Sequence, residues 1–209
     1  MAASSQPLAM FPLSTLVFPG SAIPLHVFEP RYKQLTTDCL AADARFGIVL
    51  IERGAEVGGG DERSMVGTRV TMTKAVALAD GRWLLVALGE QRIRVVEWLD
   101  DDPYPRALVE EWPDRASAPV EPAVLAEVVQ AVRRTRALLS ETRQSPALPA
   151  EVTFDDDPDV ACWQLCAEAP LNVYDAQRLL CVDGTPARLE LLLQTIGELE
   201  DDLHRMLAQ

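Results

Sequence analysis

Lysine is nearly missing from this 209-residue chain: Lys33 and Lys74 are the only two. A Walker A loop needs a glycine before its lysine, so that backbone wraps the phosphates while the ammonium reaches them. Tyr32 precedes Lys33 and Thr73 precedes Lys74, so the sequence holds no such loop. The use of arginine for every other basic position reads as the codon bias of a GC-rich bacterial genome. Histidine is equally scarce, at His26 and His204. A Ser-His-Asp or Cys-His site would have to use one of them. His204 falls in the last helical segment and suits solvent; His26 alternates with apolar neighbours and suits a core or edge position. Neither arrangement points to catalysis.

Long apolar runs are also absent. None approaches the ~18 residues that span a bilayer, and the opening MAASSQPLAM lacks the basic and apolar regions of a signal peptide. The expectation is a soluble, cytoplasmic protein with no membrane partner. The four cysteines, Cys39, Cys162, Cys166 and Cys181, lack the paired CxxC spacing of a zinc ribbon. Cys162 and Cys166 would share one helix face, but a metal needs two further ligands, and small buried side chains beside Trp163 and Leu165 explain them. Asp155, Asp156, Asp157 and Asp159 lack the central glycine and closing glutamate of a calcium loop. The sequence therefore implies no metal and no cofactor.

What the chain does have is an uneven charge. Residues 1–99 carry 10 basic and 10 acidic side chains, whereas residues 100–209 carry 9 and 22, so the net charge of −13 resides in the second half. That half would repel phosphate backbones and anionic membranes. At 48% hydrophobic and 24% charged residues, the composition is that of a folded protein with a real core.

Prolines at 12, 19, 24 and 30 forbid a helix through the first segment. Phe18-Pro19-Gly20 predicts a turn. Beyond it Ile23, Leu25 and Val27 share one strand face, with His26 and Phe28 on the other. A helix should start at Pro30, carrying Tyr32, Leu35, Cys39 and Leu40. FGIVLI at 46–51 predicts a buried strand, and Gly58-Gly59-Gly60-Asp61 a loop. Strands follow at 66–78 and 83–88, joined by a two-residue Asp80-Gly81 hairpin. Gly89-Glu90 should separate these from further strands at 91–99 and 105–112. After 114–122 the pattern turns helical. Residues 122–143 carry a stripe of Val124, Leu125, Val128, Val129, Val132 and Leu139. An acidic loop covers 144–157. Asp157-Pro158, Asn172 and Thr185-Pro186 each mark a helix start. The last helix carries Leu189, Leu192, Leu193, Ile196, Leu199, Leu203 and Met206 on one side.

The run FPLSTLVFPGSAIPLHVFEPRYKQL, then FGIVL, the MVGT segment at 65–68 and DGRWLLVALGEQRIRVV at 80–96 appear in an order that resembles the N-terminal, substrate-binding domain family of Lon proteases. The likeness is close over about residues 10–112 and looser beyond. It implies an α+β fold: a PUA-like twisted β-barrel or sheet over 1–113, with a helical bundle over 114–209 packed on it. It implies a stand-alone bacterial member, without ATPase or protease domains. The expected function is a non-catalytic protein- or peptide-binding module, a substrate-recognition or adaptor protein linked to proteolysis, acting as monomer or weak dimer. A groove between the two halves would hold the partner. The alternative is an RNA-binding PUA-like protein using Arg92 and Arg94, with Arg82 nearby; the acidic half disfavours nucleic acid. Candidate binding residues are His26, Glu29, Arg31, Tyr32, Arg92 and Arg94. Glu29, Pro30 and Arg31 also have a purely structural reading, as a helix start with Arg31 paired to a nearby carboxylate.

Overall fold

The computed structural model describes residues 6–54, 62–115, 118–141, 149 and 152–207, and the chain divides into two compact units, 1–113 and 114–209. The expected loop at 58–61 and part of the acidic loop lie outside the described residues.

The first unit contains β1 (Gln6–Leu13), β2 (Ala22–Val27), α1 (Pro30–Ala41), β3 (Arg45–Arg53), β4 (Glu62–Ala77), β5 (Trp83–Leu99) and β6 (Arg106–Glu111). The strands lie in the order β2-β5-β4-β3-β1-β6, and β5 also pairs with β6. β1, β3, β4, β5 and β6 thus close into a ring, and β2 attaches outside it. Only β1 and β3 run parallel, with Met10 opposite Gly47 and Leu13 opposite Leu50. Phe46 to Ile51 are all buried, as a continuous apolar run with both faces covered requires. Phe11, Phe46 and Ile48 on one face join Leu25, Val27, Leu35 and Leu85. Met10 and Val49 on the other join Ile93, Val95, Ala107 and Val109.

Two expectations need correction here. Gly89-Glu90 does not separate two strands: β5 runs unbroken for 17 residues. Arg69 pairs with Gln91 and Val70 with Gly89, so Glu90 is an inserted bulge residue rather than a turn. A Cβ at Gly89 would stand 2.3 Å from the Phe18 carbonyl oxygen, because the 18–21 turn crosses there. The Gly89 N–H donates to the Ser21 carbonyl and the Gly20 N–H donates to the Gly89 carbonyl, both at 2.8 Å. The Asp80-Gly81 hairpin has three loop residues, since the Leu78 N–H donates to the Arg82 carbonyl at 2.8 Å. Gly81 takes φ +77°, the left-handed residue that a three-residue hairpin loop requires.

The second unit contains α2 (Pro122–Glu141), α3 (Pro158–Glu168), α4 (Val173–Cys181) and α5 (Thr185–Leu207). The Asp157 carboxylate accepts from the Asp159 N–H, and the Asn172 side chain accepts from the Tyr174 and Asp175 N–H groups, so both predicted caps form. Thr185 is not the cap of α5. The Gly184 carbonyl accepts the Arg188 N–H at 3.1 Å, starting the helix a residue earlier, and the Thr185 hydroxyl donates to Asp159. Of the expected stripes, Val128, Val132, Leu139, Leu189, Leu192, Ile196 and Leu203 are buried, whereas Val124 and Met206 are exposed near helix ends. Thr135 is buried on the α2 stripe and donates to the Glu200 carboxylate on α5 at 2.7 Å. The whole is an α+β fold, a barrel followed by helices.

The two glycine environments predict opposite outcomes. Gly89→Ala must displace backbone, and urea denaturation should show a loss of about 1–3 kcal/mol. Gly197 lies within α5 with nothing within 4 Å of a built Cβ. Gly197→Ala should raise stability by about 0.5–1 kcal/mol in the same assay.

Candidate functional site

The FEPRY corner joins β2 to α1. Glu29 precedes the helix at φ −69° and ψ 139°, and its side chain makes no cap bond. Instead it accepts the Arg31 Nε–H at 3.0 Å. The Arg31 guanidinium lies 4.5 Å from the centre of the Tyr32 ring. Tyr32 in turn stacks on Phe11, with centroids 4.0 Å apart and planes 9° from parallel. Guanidinium and two rings form a layered stack that fixes the start of α1 on the end of β1.

Beside this stack opens a cleft of about 380 Å³. Phe11, Leu13, Ile23, Leu25 and Val27 supply much of its wall, and Thr15, His26, Glu29 and Tyr32 add polar atoms. Phe28 stands at the cleft with 52% of its surface exposed. The His26 ring lies 6.1 Å from the Phe28 ring. An apolar hollow with a sparse polar complement suits the capture of an apolar side chain. The structure therefore brings His26, Glu29 and Tyr32 to one cleft, with Arg31 held against it through Glu29 and Tyr32. Phe28 was absent from the sequence-derived candidates. Its exposure on the strand face opposite Val27 was the available signal.

Arg92 and Arg94 are placed elsewhere, against Trp112. Their guanidinium carbons lie 4.3 and 4.2 Å from its ring centre. Arg92 is only 2% exposed, so it is not on an open face as an RNA-binding role would need. Arg94 is exposed and stands 3.7 Å from Glu110. Arg82 pairs with Asp80 at 2.7 Å within its own hairpin. The neighbouring basic groups are also committed to carboxylates. Arg69 reaches Glu90 at 3.1 Å and Glu111 at 2.6 Å, and Arg45 reaches Glu90 at 3.3 Å. Partial burial pushes the Glu90 carboxyl up, but the Thr71 hydroxyl and Arg69 outweigh it and hold the group below the usual carboxylate value. Burial pushes the Cys39 thiol up to about 12.

The second unit holds a polar cluster that sequence reasoning missed. Arg188 is fully buried. It donates to both Asp114 carboxylate oxygens at 2.6 and 2.9 Å, and to the Leu179 and Val182 carbonyls at 3.2 and 2.7 Å. Its guanidinium carbon sits 3.6 Å from the centre of the Trp163 ring. Burial alone would lower its proton affinity, but Asp114 and Cys162 reverse that and raise it. Cys162 and Cys166 are both buried, as small core side chains should be, yet they also belong to this cluster. The Cys166 thiol's hydrogen bond, helped by Arg188, lowers the Cys162 value, while burial raises that of Cys166. The signal was available: Arg188 lies four residues before Leu192, on the buried stripe itself. Among the described residues no group of three His, Cys, Asp or Glu side chains could hold a metal ion, and no helix is long and apolar enough to cross a membrane.

The chain matches the family described as the ATP-dependent protease La (LON) substrate-binding domain across residues 7–197. Lon protease 2 of Herpetosiphon aurantiacus is 26% identical over 97% of this chain, which covers 26% of that protein. A LON peptidase N-terminal domain and RING finger protein of Schizosaccharomyces pombe is 24% identical over 90% of this chain and 45% of its own length. The chain thus spans about a quarter of the full-length Lon protease it matches. Among solved structures, a Lon N-terminal domain protein from Xanthomonas campestris superposes with a TM-score of 0.67 at 25% identity, covering 90% of this chain and 98% of that one. The N-terminal domain of Mycobacterium avium complex Lon protease gives 0.60 at 16% identity, over 92% and 98%, a likeness of fold.

Two stability measurements check these electrostatics. A carboxylate with a lowered value stabilises the fold above its ordinary value, and that contribution is lost as pH falls through the lowered one. The advantage of the native protein over Glu90→Gln in urea melts should therefore be present at pH 7 and shrink steadily below about pH 4.5. Asp114→Ala leaves the buried Arg188 charge unpaired and should cost about 3–5 kcal/mol in the same assay.

Proposed function

The chain belongs to the LON substrate-binding domain family, and from that membership we propose that it is a non-catalytic module that binds polypeptide for proteolysis in the cytoplasm. The observation that carries the reading is the open apolar cleft beside Phe28, on the barrel unit. Phe28 extends the apolar wall of the hollow outward, and a continuous exposed apolar surface of this kind marks partner sites. The walls are side chains of β1, β2 and α1, held by the Arg31–Tyr32–Phe11 stack, so the hollow exists before a partner arrives. A preformed hollow lowers the ordering cost of association. Its wall is largely hydrocarbon, which suits the apolar side chains that unfolding exposes and native surfaces hide. The two lysines lack the glycine that a phosphate loop needs, which agrees with a role in binding rather than ATP hydrolysis.

The test uses fluorescence anisotropy with reduced, carboxymethylated α-lactalbumin and its native, disulfide-intact form. The expected result is binding of the unfolded form only, weakened roughly five- to thirtyfold by Phe28→Ala, as for an anchor worth about 1–2 kcal/mol. Equal binding of both forms, or of neither, contradicts the proposal.

A further inference from the structure

We infer that the bound polypeptide docks as an added strand along the outer edge of β2. This rests on the binding role proposed above and specifies its geometry. The ring closes through β5 and β6, which leaves β2 at one end of the strand order. Among the described residues its strand pairing is to β5 alone, from Ala22 opposite Leu88 to Val27 opposite Trp83. The Gly89 N–H donates to the Ser21 carbonyl at 2.8 Å, which fixes the alternation. Residues 23, 25 and 27 then direct their main-chain groups to β5, while Ala22, Pro24 and His26 direct theirs outward. Pro24 agrees with this, since proline is tolerated where its missing N–H would face away from the sheet. The outer edge therefore offers three carbonyls and the N–H groups of Ala22 and His26.

Both sides of that edge carry apolar side chains. The cleft is walled by Leu25 and Val27 from one side of the strand, and Pro24, His26 and Phe28 line it too. The other side continues across the sheet as His26, Leu84 and Val76, paired in one row, with Leu84 46% and Val76 41% exposed. An extended guest would place alternate side chains in the cleft and on that exposed face. Main-chain bonds then supply affinity at any sequence, and the apolar surfaces select β-branched and aromatic residues. This chemistry fits an extended, uncharged run of an unfolded chain. A second copy of β2 fits poorly, because a twofold register centred on the edge sets Pro24 against Pro24, with no donor on either side.

The probe is a twelve-residue peptide of alternating valine and threonine with one central phenylalanine. Bound to the native protein, it should slow hydrogen exchange at the Ala22 and His26 amides at least tenfold. Leu25 and Val27, already bonded to β5, should change little. His26→Pro removes one outward N–H and should weaken the peptide about tenfold more than His26→Ala, which loses the side chain but keeps that N–H. Should His26→Pro fail to fold, the same peptide N-methylated throughout must lose binding more than tenfold to the native protein. Unchanged exchange at Ala22 and His26 with peptide bound overturns the inference. So does a peptide-free dimer that His26→Pro converts to monomer. If unfolded α-lactalbumin binds but these amides stay unprotected, the strand geometry fails and the binding role survives. If neither probe binds, both fail.

Discussion

Where the 18–21 turn crosses β5 at Gly89, two backbones meet at a distance that admits no side chain, tied by a hydrogen bond in each direction. The rest of the barrel unit depends on this crossing. It lets one strand serve two partners in succession, β2 along its first part and β6 along its second. The bulge at Glu90 rotates β5 between those tasks, and its carboxylate then gathers Arg45, Arg69 and Thr71 around the bend. Without that close approach the turn into β2 would lose both of its hydrogen bonds to β5, and the strand that walls the cleft and carries the open edge would be held by its ladder alone.

The helical unit uses a different device for the same purpose. The Arg188 guanidinium joins the segment before α2 to the start of α5 and to the carbonyls that end α4. A fully buried cation stands there because Asp114, two carbonyls and the Trp163 ring replace its water. Both units thus rest on a polar junction embedded in an otherwise apolar frame.

Features fixed by neighbouring residues could be read from the sequence. The start of α1 follows from Pro30, the caps at Asp157 and Asn172 from side chains that reach their own helix N–H groups, and β3 from an apolar run with no polar alternation. Features fixed by distant partners could not. Gly89 looks like a turn until the crossing backbone is placed above it. Arg188 sits at stripe spacing, but nothing near it in sequence names the carboxylate that lets it be buried, since Asp114 arrives from 74 positions away. Val124 and Met206 kept helical spacing but fell outside the packed length of their helices, where periodicity carries no information about a neighbour. Among the candidate residues, His26, Glu29, Arg31 and Tyr32 share one corner because they are sequence neighbours, whereas the burial of Arg92 against Trp112 is a long-range fact.

The pairing of β1 has a consequence for how the chain comes into being. Gln6 lies opposite Val109, so the first described residue closes the ring against nearly the last strand residue of its unit. On a ribosome, β1 must wait for some hundred residues to be made before its second neighbour exists. Contacts so distant in sequence make folding slow, and the unclosed sheet leaves apolar strands uncovered meanwhile. The nascent protein therefore passes through a state that exposes the same kind of extended apolar chain proposed above as the guest of its mature cleft.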